Sequence, residues 1–223
     1  MVTKKESHST TESSWIPKIV CASRVLLLLG LAIPLWGLTC WRQEQLGTDG
    51  DLSREAAQAA ARKFERIQEA HHSGSPFDAV RITEQEANSY LHFELSSALP
   101  AGVSQARLAF QPGRVLGSSR VDFDKLKEGL PSPPHPLAEF LLRGAHTIAV
   151  EGAAGGANGI GEFRLERVLL DDVPLPRPVV EFLIEQYLRP RYPTAAIDRP
   201  FRLPFSIDGV RAEAGFVLLT GKP

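Results

Sequence analysis

Residues 106–123 read ARLAFQPGRVLGSSRVDF, and apolar side chains recur at every second position on both sides of a Pro-Gly pair. The first apolar set ends at Phe110 and the second ends at Phe123. Strict alternation is typical of a strand with one buried face, and Pro-Gly is typical of a tight turn. The stretch therefore predicts an antiparallel β-hairpin.

A second pair of alternating segments follows, one around Ile148 and Val150 and the other around Phe163 and Leu165. Residues 152–159 (GAAGGANG) connect them. This run lacks the G-x-G-x-x-G spacing of a dinucleotide site and leads into a strand instead of a helix. We expect it to form a flexible hairpin loop.

The C-terminal part alternates again. Its apolar positions are Phe201, Leu203, Phe205 and Ile207, followed by a run from Val210 to Leu219. Pro204 lies inside the first segment, which predicts an edge strand or a bulged one. Asp208-Gly209 and Ala214-Gly215 both suit a hairpin turn, and the pattern alone does not choose between them.

Helical spacing appears in three places outside these strands. Asp51 or Ser53 is a suitable N-cap for a helix that ends near His72. The T-x-x-E capping box that begins at Thr83 predicts a second helix, and Pro178 suits the first turn of a third. A short apolar segment with Leu137, Phe140 and Leu141 adds a possible fourth. The predicted fold class is α+β: antiparallel hairpins form a curved sheet packed with three or four amphipathic helices.

Composition excludes several classes of protein. The 223 residues are 43% hydrophobic and 23% charged, with a formal net charge of -1, as in an ordinary globular protein. That balance argues against a protein that mainly binds nucleic acid, which usually presents a basic face. Two cysteines are too few for a disulfide scaffold or a four-thiolate metal site.

Residues 25–41 (VLLLLGLAIPLWGLTCW) contain no charge, and together with residues 19–24 they reach the length of a membrane span. Trp15, Trp36 and Trp41 suit the two membrane interfaces. A cleaved signal peptide is the alternative, but residues 37–41 lack the small-residue pattern of a cleavage site. We therefore expect an uncleaved transmembrane helix.

Flanking charge predicts the orientation of that span. Lys4, Lys5, Lys18 and Arg24 precede its apolar core, whereas Arg42 alone follows closely. The positive-inside rule then places the N-terminus in the cytoplasm and the rest of the chain outside. The expected organisation is a disordered leader over 1–18, an anchor over 19–41, a stalk helix and linker over 42–77, and an exported α+β domain over 78–223.

No pattern of catalytic residues stands out. The sequence lacks a G-x-S-x-G nucleophile motif and an H-E-x-x-H metal motif, and both cysteines fall in the predicted span. Asp171-Asp172 suits a solvated turn better than a pair of catalytic carboxylates. We expect no enzymatic activity, no cofactor and no metal site.

Arginines are frequent near the last strands, at Arg189, Arg191, Arg199 and Arg202. Guanidinium groups suit phosphates, including lipid head groups. They equally suit nearby carboxylates such as Asp198, and we favour that interpretation.

Three segments together resemble a known kind of protein. They are residues 82–91 (ITEQEANSYL), residues 120–123 (RVDF), and the closing run with VPLP at 173–176, LPFSIDGV at 203–210 and GFVL at 215–218. This arrangement over roughly residues 80–220 resembles bacterial single-span envelope proteins of the YpmS and LmeA kinds. Such proteins are similar to tubular lipid-binding domains, in which a curved sheet wraps a helix beside an apolar groove. The proline cluster at 131–136 and the long stalk helix depart from that pattern.

The resemblance implies an extracytoplasmic domain of the bacterial inner membrane that binds lipid, and it favours Ala214-Gly215 as the last turn. Two functions are expected: non-enzymatic binding of a lipid or other apolar ligand, or a scaffold subunit of an envelope assembly with a protein partner. No nucleic-acid partner is expected. The predicted groove residues are Leu108, Phe110, Phe163, Leu165, Leu183, Tyr187, Phe201, Leu203, Phe205 and Ile207.

Overall fold

The computed structural model describes residues 52–128, 130, 133, 135–190 and 198–222. The predicted leader, anchor and first part of the stalk lie outside these residues. The helices are α1 (Arg54–Ser73), α2 (Glu84–Phe93), α3 (Phe123–Glu128), α4 (Pro136–Leu141) and α5 (Arg177–Leu183). The strands are β1 (Val80–Thr83), β2 (Val103–Gln111), β3 (Arg114–Asp122), β4 (Ala145–Ala157), β5 (Ile160–Leu170), β6 (Val173–Pro174), β7 (Phe201–Arg202), β8 (Ile207–Glu213) and β9 (Phe216–Gly221).

The nine strands form one antiparallel sheet, which confirms the α+β class. Its main order is β1-β9-β8-β4-β3-β2, and β5 pairs with β4 as well as with the short β6 and β7. Both hairpins predicted from alternation are present, β2 with β3 and β4 with β5. Gly155 and Gly156, near the end of β4, also pair with β8. This pairing joins β1, β9 and β8 to the part of the sheet formed by β4, β3 and β2.

The glycine-rich stretch is strand and not the loop that we expected. β4 runs to Ala157, and only Asn158 and Gly159, with φ of 53° and 73°, form the turn. Two positive φ values are typical of the tightest hairpin turns. The glycines serve packing: a Cβ at Gly152 would lie 2.5 Å from the Phe163 ring, and one at Gly161 would lie 2.7 Å from the Phe201 ring.

The alternation from Phe201 to Ile207 does not form one strand either. β7 ends at Arg202 and β8 begins at Ile207, and between them Phe205 and Ser206 have φ of 55° and 56°. Left-handed backbone turns the chain, so period-two spacing alone was misleading here. The last hairpin turns at Ala214-Gly215, as the resemblance implied, with Gly215 at φ 79°.

The helix ends follow the capping signals in the sequence. The Ser53 side chain accepts a hydrogen bond from the Ala56 N–H at the start of α1, and Gly74 ends that helix with φ 67°. At α2, the Thr83 side chain accepts from the Glu86 N–H while the Glu86 side chain accepts from the Thr83 N–H. This is the predicted capping box. Among the described helices, none has the length and apolar character needed to cross a membrane.

Four apolar clusters make up much of the core. The first joins α2 to β2 and β3, and the second joins α5 to β4 and β5. The third packs α3, α4 and Tyr187 together, and the fourth joins Ile67 of α1 to β1, β8 and β9. Because Ile67 is buried in the fourth cluster, α1 packs on the sheet and stabilises it.

Candidate functional site

The ten residues predicted to line a groove are distributed over these clusters. Leu108 and Phe110 lie in the first cluster, and Phe163 and Leu165 lie in the second. Tyr187 is buried in the third, where Leu183 also packs. Ile207 is buried in the fourth, with Leu203 and Phe205 half-buried against it, while Phe201 stays 37% exposed. The structure therefore does not bring the ten side chains together in one site.

A cavity of about 520 Å³ lies elsewhere, between the end of α2 and the start of β2. Its lining residues are Leu52, Leu91, His92, Phe93, Ser96, Leu99, Val103, Ser104, Gln105, Ala106 and Arg107. About half of them are apolar, and none is acidic. Small-molecule sites typically have about 300–1,000 Å³ and apolar walls with a few polar groups. This cavity is the best candidate site among the described residues.

A bulge in β2 shapes one wall of the cavity. The pairing of β2 with β3 shifts between Ser104 and Arg107, and Gln105 has φ 52°. A bulge bends its strand and re-aims the neighbouring side chains. Alternation in the sequence could not predict this wall, because nothing in the residue types marks the position of the shift.

Asn88 of α2 holds the helix against β2 next to the cavity. Its Nδ2 donates to the Leu108 carbonyl over 2.8 Å, and its Oδ1 accepts from the Leu108 N–H over 2.7 Å. The Glu84 carboxylate accepts from the Phe110 N–H in the same way. These side chains replace a neighbouring strand along the outer edge of β2. One turn further along α2, Leu91 reaches the cavity.

Among the residues that line the cavity, Arg107 alone carries a formal charge. Arg107 is only 8% exposed, and its Nη1 donates to the carbonyl of Ala106, which also lines the cavity. Burial lowers the pKa of the Arg107 guanidinium, because the charged form loses solvation. The Arg54 guanidinium lies over the Phe93 ring at 4.9 Å, and the His92 ring contacts the same phenyl group.

A smaller cavity of about 380 Å³ lies where β1 begins beside the end of β9. It is lined by Pro76, Phe77, Asp78, Ala79, Thr220, Gly221 and Lys222. The Phe77 ring occupies the space in which a side chain at Gly221 would lie. This arrangement is explained by local packing of the two strand ends.

Several of the charged residues that the sequence suggested as candidates take part in turns and ion pairs. Asp171 and Asp172, with φ of 48° and 65°, form the turn between β5 and β6. Arg189 pairs with Glu185 at 2.6 Å, and Asp198 pairs with Arg177 at 2.8 Å instead of with the predicted arginines. Arg191 lies outside the described residues. Within the part of the chain that the structure describes, no three His, Cys, Asp or Glu side chains are placed to hold a metal ion.

Asp171, in the turn that follows β5, also binds the start of β4 through its side chain. Its carboxylate contacts His146 Nδ1 at 2.6 Å and accepts from the Thr147 N–H at 2.8 Å. The other ring nitrogen of His146 contacts the Arg143 carbonyl at 3.0 Å. The hydrogen bonds from His146 and from Thr147 hold the pKa of Asp171 below its usual range.

Acidification is therefore expected to weaken this contact. A carboxyl group whose pKa is lower in the folded state stabilises the fold above its unfolded-state pKa of about 4. That contribution is lost as the pH falls through the lower folded-state pKa. The free energy of unfolding of the natural protein should thus fall more steeply below about pH 4 than that of Asp171→Asn. Asparagine tolerates positive φ, so the turn is kept.

Urea unfolding at pH values above and below about 4 would measure this difference. Asp172→Asn is the matched control, since it lies in the same turn and also has positive φ. It removes a carboxylate from the turn but leaves the contacts of Asp171 with His146 and Thr147 in place. Identical pH dependence in Asp171→Asn and Asp172→Asn would contradict the assignment.

Comparison with known proteins returns no match: no family model fits the chain, and neither a curated protein nor a solved structure is similar to it. The fold and the cavity therefore carry the functional argument.

Proposed function

We propose that this chain is a membrane-anchored extracytoplasmic protein without enzymatic activity that binds a lipid or other apolar ligand in the cavity beside α2 and β2. The observation that carries the proposal is the cavity itself, with about 520 Å³ of space and a lining in which about half of the residues are apolar. Apolar side chains that face an open space lose contact with water when a ligand covers them, which favours binding.

The position of the cavity along the chain agrees with a membrane-derived ligand. Leu52 lines the cavity, and the predicted span ends at Trp41, eleven residues earlier. An extended chain reaches at most about 3.3–3.6 Å per residue, so the cavity lies within about 40 Å of the membrane surface. A ligand that leaves the bilayer would have a short path to it.

Helix side chains contact both edge strands of the sheet. β1 and β2 are the two ends of the main strand order, and α2 follows β1 directly and holds the edge of β2 through Asn88. Lys63 of α1 donates to the Arg81 carbonyl on β1. Both edge strands are thus held by helix side chains, which limits their pairing with another chain.

Ligand binding is best tested on the full chain, because α1 contributes Ile67 to the core. The purified protein should carry lipid in native mass spectrometry and take up a fluorescent lipid. Ser96→Trp fills the mouth of the cavity and should reduce uptake severalfold. Ser97→Trp is the control, since Ser97 is exposed on the same turn but does not line the cavity. Lipid-free preparations without uptake would exclude the proposal.

The predicted orientation gives a separate test. Four basic residues precede the apolar core of the span and should hold the N-terminus in the cytoplasm. Alkaline phosphatase fused after Pro223 should therefore be active in bacterial cells. A cytoplasmic reporter that is active at the same fusion point would contradict both the orientation and the lipid function that depends on it.

A scaffold subunit of an envelope assembly is the second proposal. It is favoured by Val173 and Val179, two apolar side chains that are left exposed six residues apart, where β6 leads into α5. Exposed apolar side chains are common singly but mark an interface when they lie together. Site-specific crosslinking from Val173 that yields one defined partner, together with no bound lipid, would favour this function over ligand binding.

A further inference from the structure

We infer that one face of the β-sheet docks on the anionic phospholipid head groups of the membrane in which the chain is anchored. This inference goes beyond the ligand cavity, but it rests on the membrane anchor that the proposed function includes. Three observations carry it: the arginines of this face, their exposure, and the shortage of carboxylates that could neutralise them.

The helices pack on one face of the sheet. Residues paired across neighbouring strands point to the same face, and the face alternates along each strand. Val115 pairs with Gly152, two residues along β4 from Val150, so the first two apolar clusters use the same face. Val210, which pairs with Gly156 on β4, extends that face to the fourth cluster. Helices α1, α2 and α5 therefore pack on this face.

Arginines are frequent on the opposite face. Ala153 lies on it by alternation, and its cross-strand partners are Arg114 on β3 and Arg164 on β5. Gly155, two residues further along β4, pairs with Arg211 on β8. We define the arginine face by six residues, all exposed except the half-buried Arg167: Arg114, Arg120, Arg164, Arg167, Arg202 and Arg211. Their side chains project past the small residues of β4.

Most guanidinium groups of the arginine face have no carboxylate bound to them. Arg114 is the exception, since it binds Glu151 at 2.6 Å and Glu166 at 2.9 Å. Arg120 is close enough to Asp171 to help lower the pKa of that carboxyl. Within the described part of the chain, no ion pair or side-chain hydrogen bond is formed by Arg164, Arg167, Arg202 or Arg211. Their planar donor groups can each bind two phosphate oxygens.

The remaining acidic residues of this face do not balance these arginines. Glu162 pairs with Gly155 in the register, and Glu213 lies two residues along β8 from Arg211. Asp122 already has Lys125 at 3.7 Å. Glu162 and Glu213 therefore stand against four arginines without ion pairs. Because the whole chain has a formal net charge of -1, this excess of positive charge is local to the face.

A lipid surface is the partner that the position of the domain favours. The predicted span ends at Trp41 and the described domain begins at Leu52, so the linker keeps the domain within about 40 Å of the membrane. Such a tether gives the domain a high effective concentration at the lipid surface, so a modest attraction is enough for docking. Arginines spread over several strands suit an array of phosphates better than one compact ligand.

Modification by phenylglyoxal tests the contact, because this reagent reacts with accessible guanidinium groups and mass spectrometry locates each product. The full chain is held in nanodiscs of phosphatidylcholine alone or of phosphatidylcholine with anionic phosphatidylglycerol. We expect Arg164, Arg202 and Arg211 to react about threefold more slowly, or slower still, in the anionic nanodiscs at low salt, and high salt should remove this protection. Arg62 and Arg66, exposed on α1, are internal controls and should react equally in both.

Substitutions then assign the protection to the charge of this face. Arg164→Gln combined with Arg211→Gln should reduce the protection of Arg202, because fewer charges attract the face to the lipid. Arg62→Gln combined with Arg66→Gln is the matched control and should leave the protection of Arg202 unchanged. Circular dichroism and thermal unfolding show whether each variant folds. If the first variant does not fold, the two nanodisc compositions decide on the natural chain alone.

Three results would overturn the inference and leave ligand binding in the cavity untouched. The first is equal reaction of the arginine face in both nanodiscs. The second is equal protection of Arg62 and Arg66, which would mean that the contact is not specific to this face. The third is protection by added polyglutamate in phosphatidylcholine nanodiscs without protection by phosphatidylglycerol, which would indicate an acidic protein partner instead. A chain that inserts into neither nanodisc would contradict the anchor itself, and this inference with it.

Discussion

Replacing Phe163 with alanine is expected to lower the free energy of unfolding by about 3–5 kcal/mol. The ring is 8% exposed, packs in the cluster with Val150, Val168 and Val180, and occupies the space that a side chain at Gly152 would need. Truncation removes its burial and leaves a void beside a glycine, which cannot fill it. Urea unfolding followed by circular dichroism would measure the change.

Phe201→Ala is the matched control for this experiment. Phe201 also lies over a strand glycine, Gly161, but its side chain is 37% exposed and β7 has only two residues. Its truncation should cost about 1 kcal/mol or less. An equally small loss for Phe163→Ala would mean that Phe163 lines an open groove, as the sequence had suggested, and not a closed core.

Local signals in the sequence predicted much of the fold. The two hairpins follow from alternation, because a half-buried strand needs one apolar face whatever covers it. The ends of α1 and α2 follow from Ser53, Gly74 and the Thr83–Glu86 capping box, because unpaired helix N–H groups need a nearby acceptor. Each of these features depends on residues a few positions apart.

Features that depend on distant residues were missed. Glycines 152, 155 and 156 look like a loop until the position of the Phe163 ring beside Gly152 and the pairing of Gly155 and Gly156 with β8 are known. The period-two residues around Phe205 look like a strand, yet positive φ turns the chain there. The candidate site shares none of the ten predicted groove residues, because a bulge in β2 and its contacts with α2 create the cavity.

Asn88→Ala is expected to lower the free energy of unfolding by about 2–4 kcal/mol, since it leaves two buried backbone groups without partners. Asn88 is 5% exposed and bonds both the N–H and the carbonyl of Leu108. Alanine keeps the helix propensity of α2 high, so the loss would come from the strand edge and not from the helix. Urea unfolding measures the total effect, and hydrogen exchange at the Leu108 amide locates it.

Ser104→Ala is the control on the same strand, because the Ser104 hydroxyl makes only a long, exposed hydrogen bond of 3.4 Å to the Arg120 carbonyl. It should change stability by less than about 0.5 kcal/mol and leave exchange at Leu108 unchanged. The Asn88 variant should also take up less ligand, since Ala106 and Arg107 follow the bulge on the strand that Asn88 holds against α2. If Asn88→Ala keeps full stability and slow exchange at Leu108, the contact of Asn88 does not stabilise the edge of β2. Other residues must then stabilise the wall of the cavity.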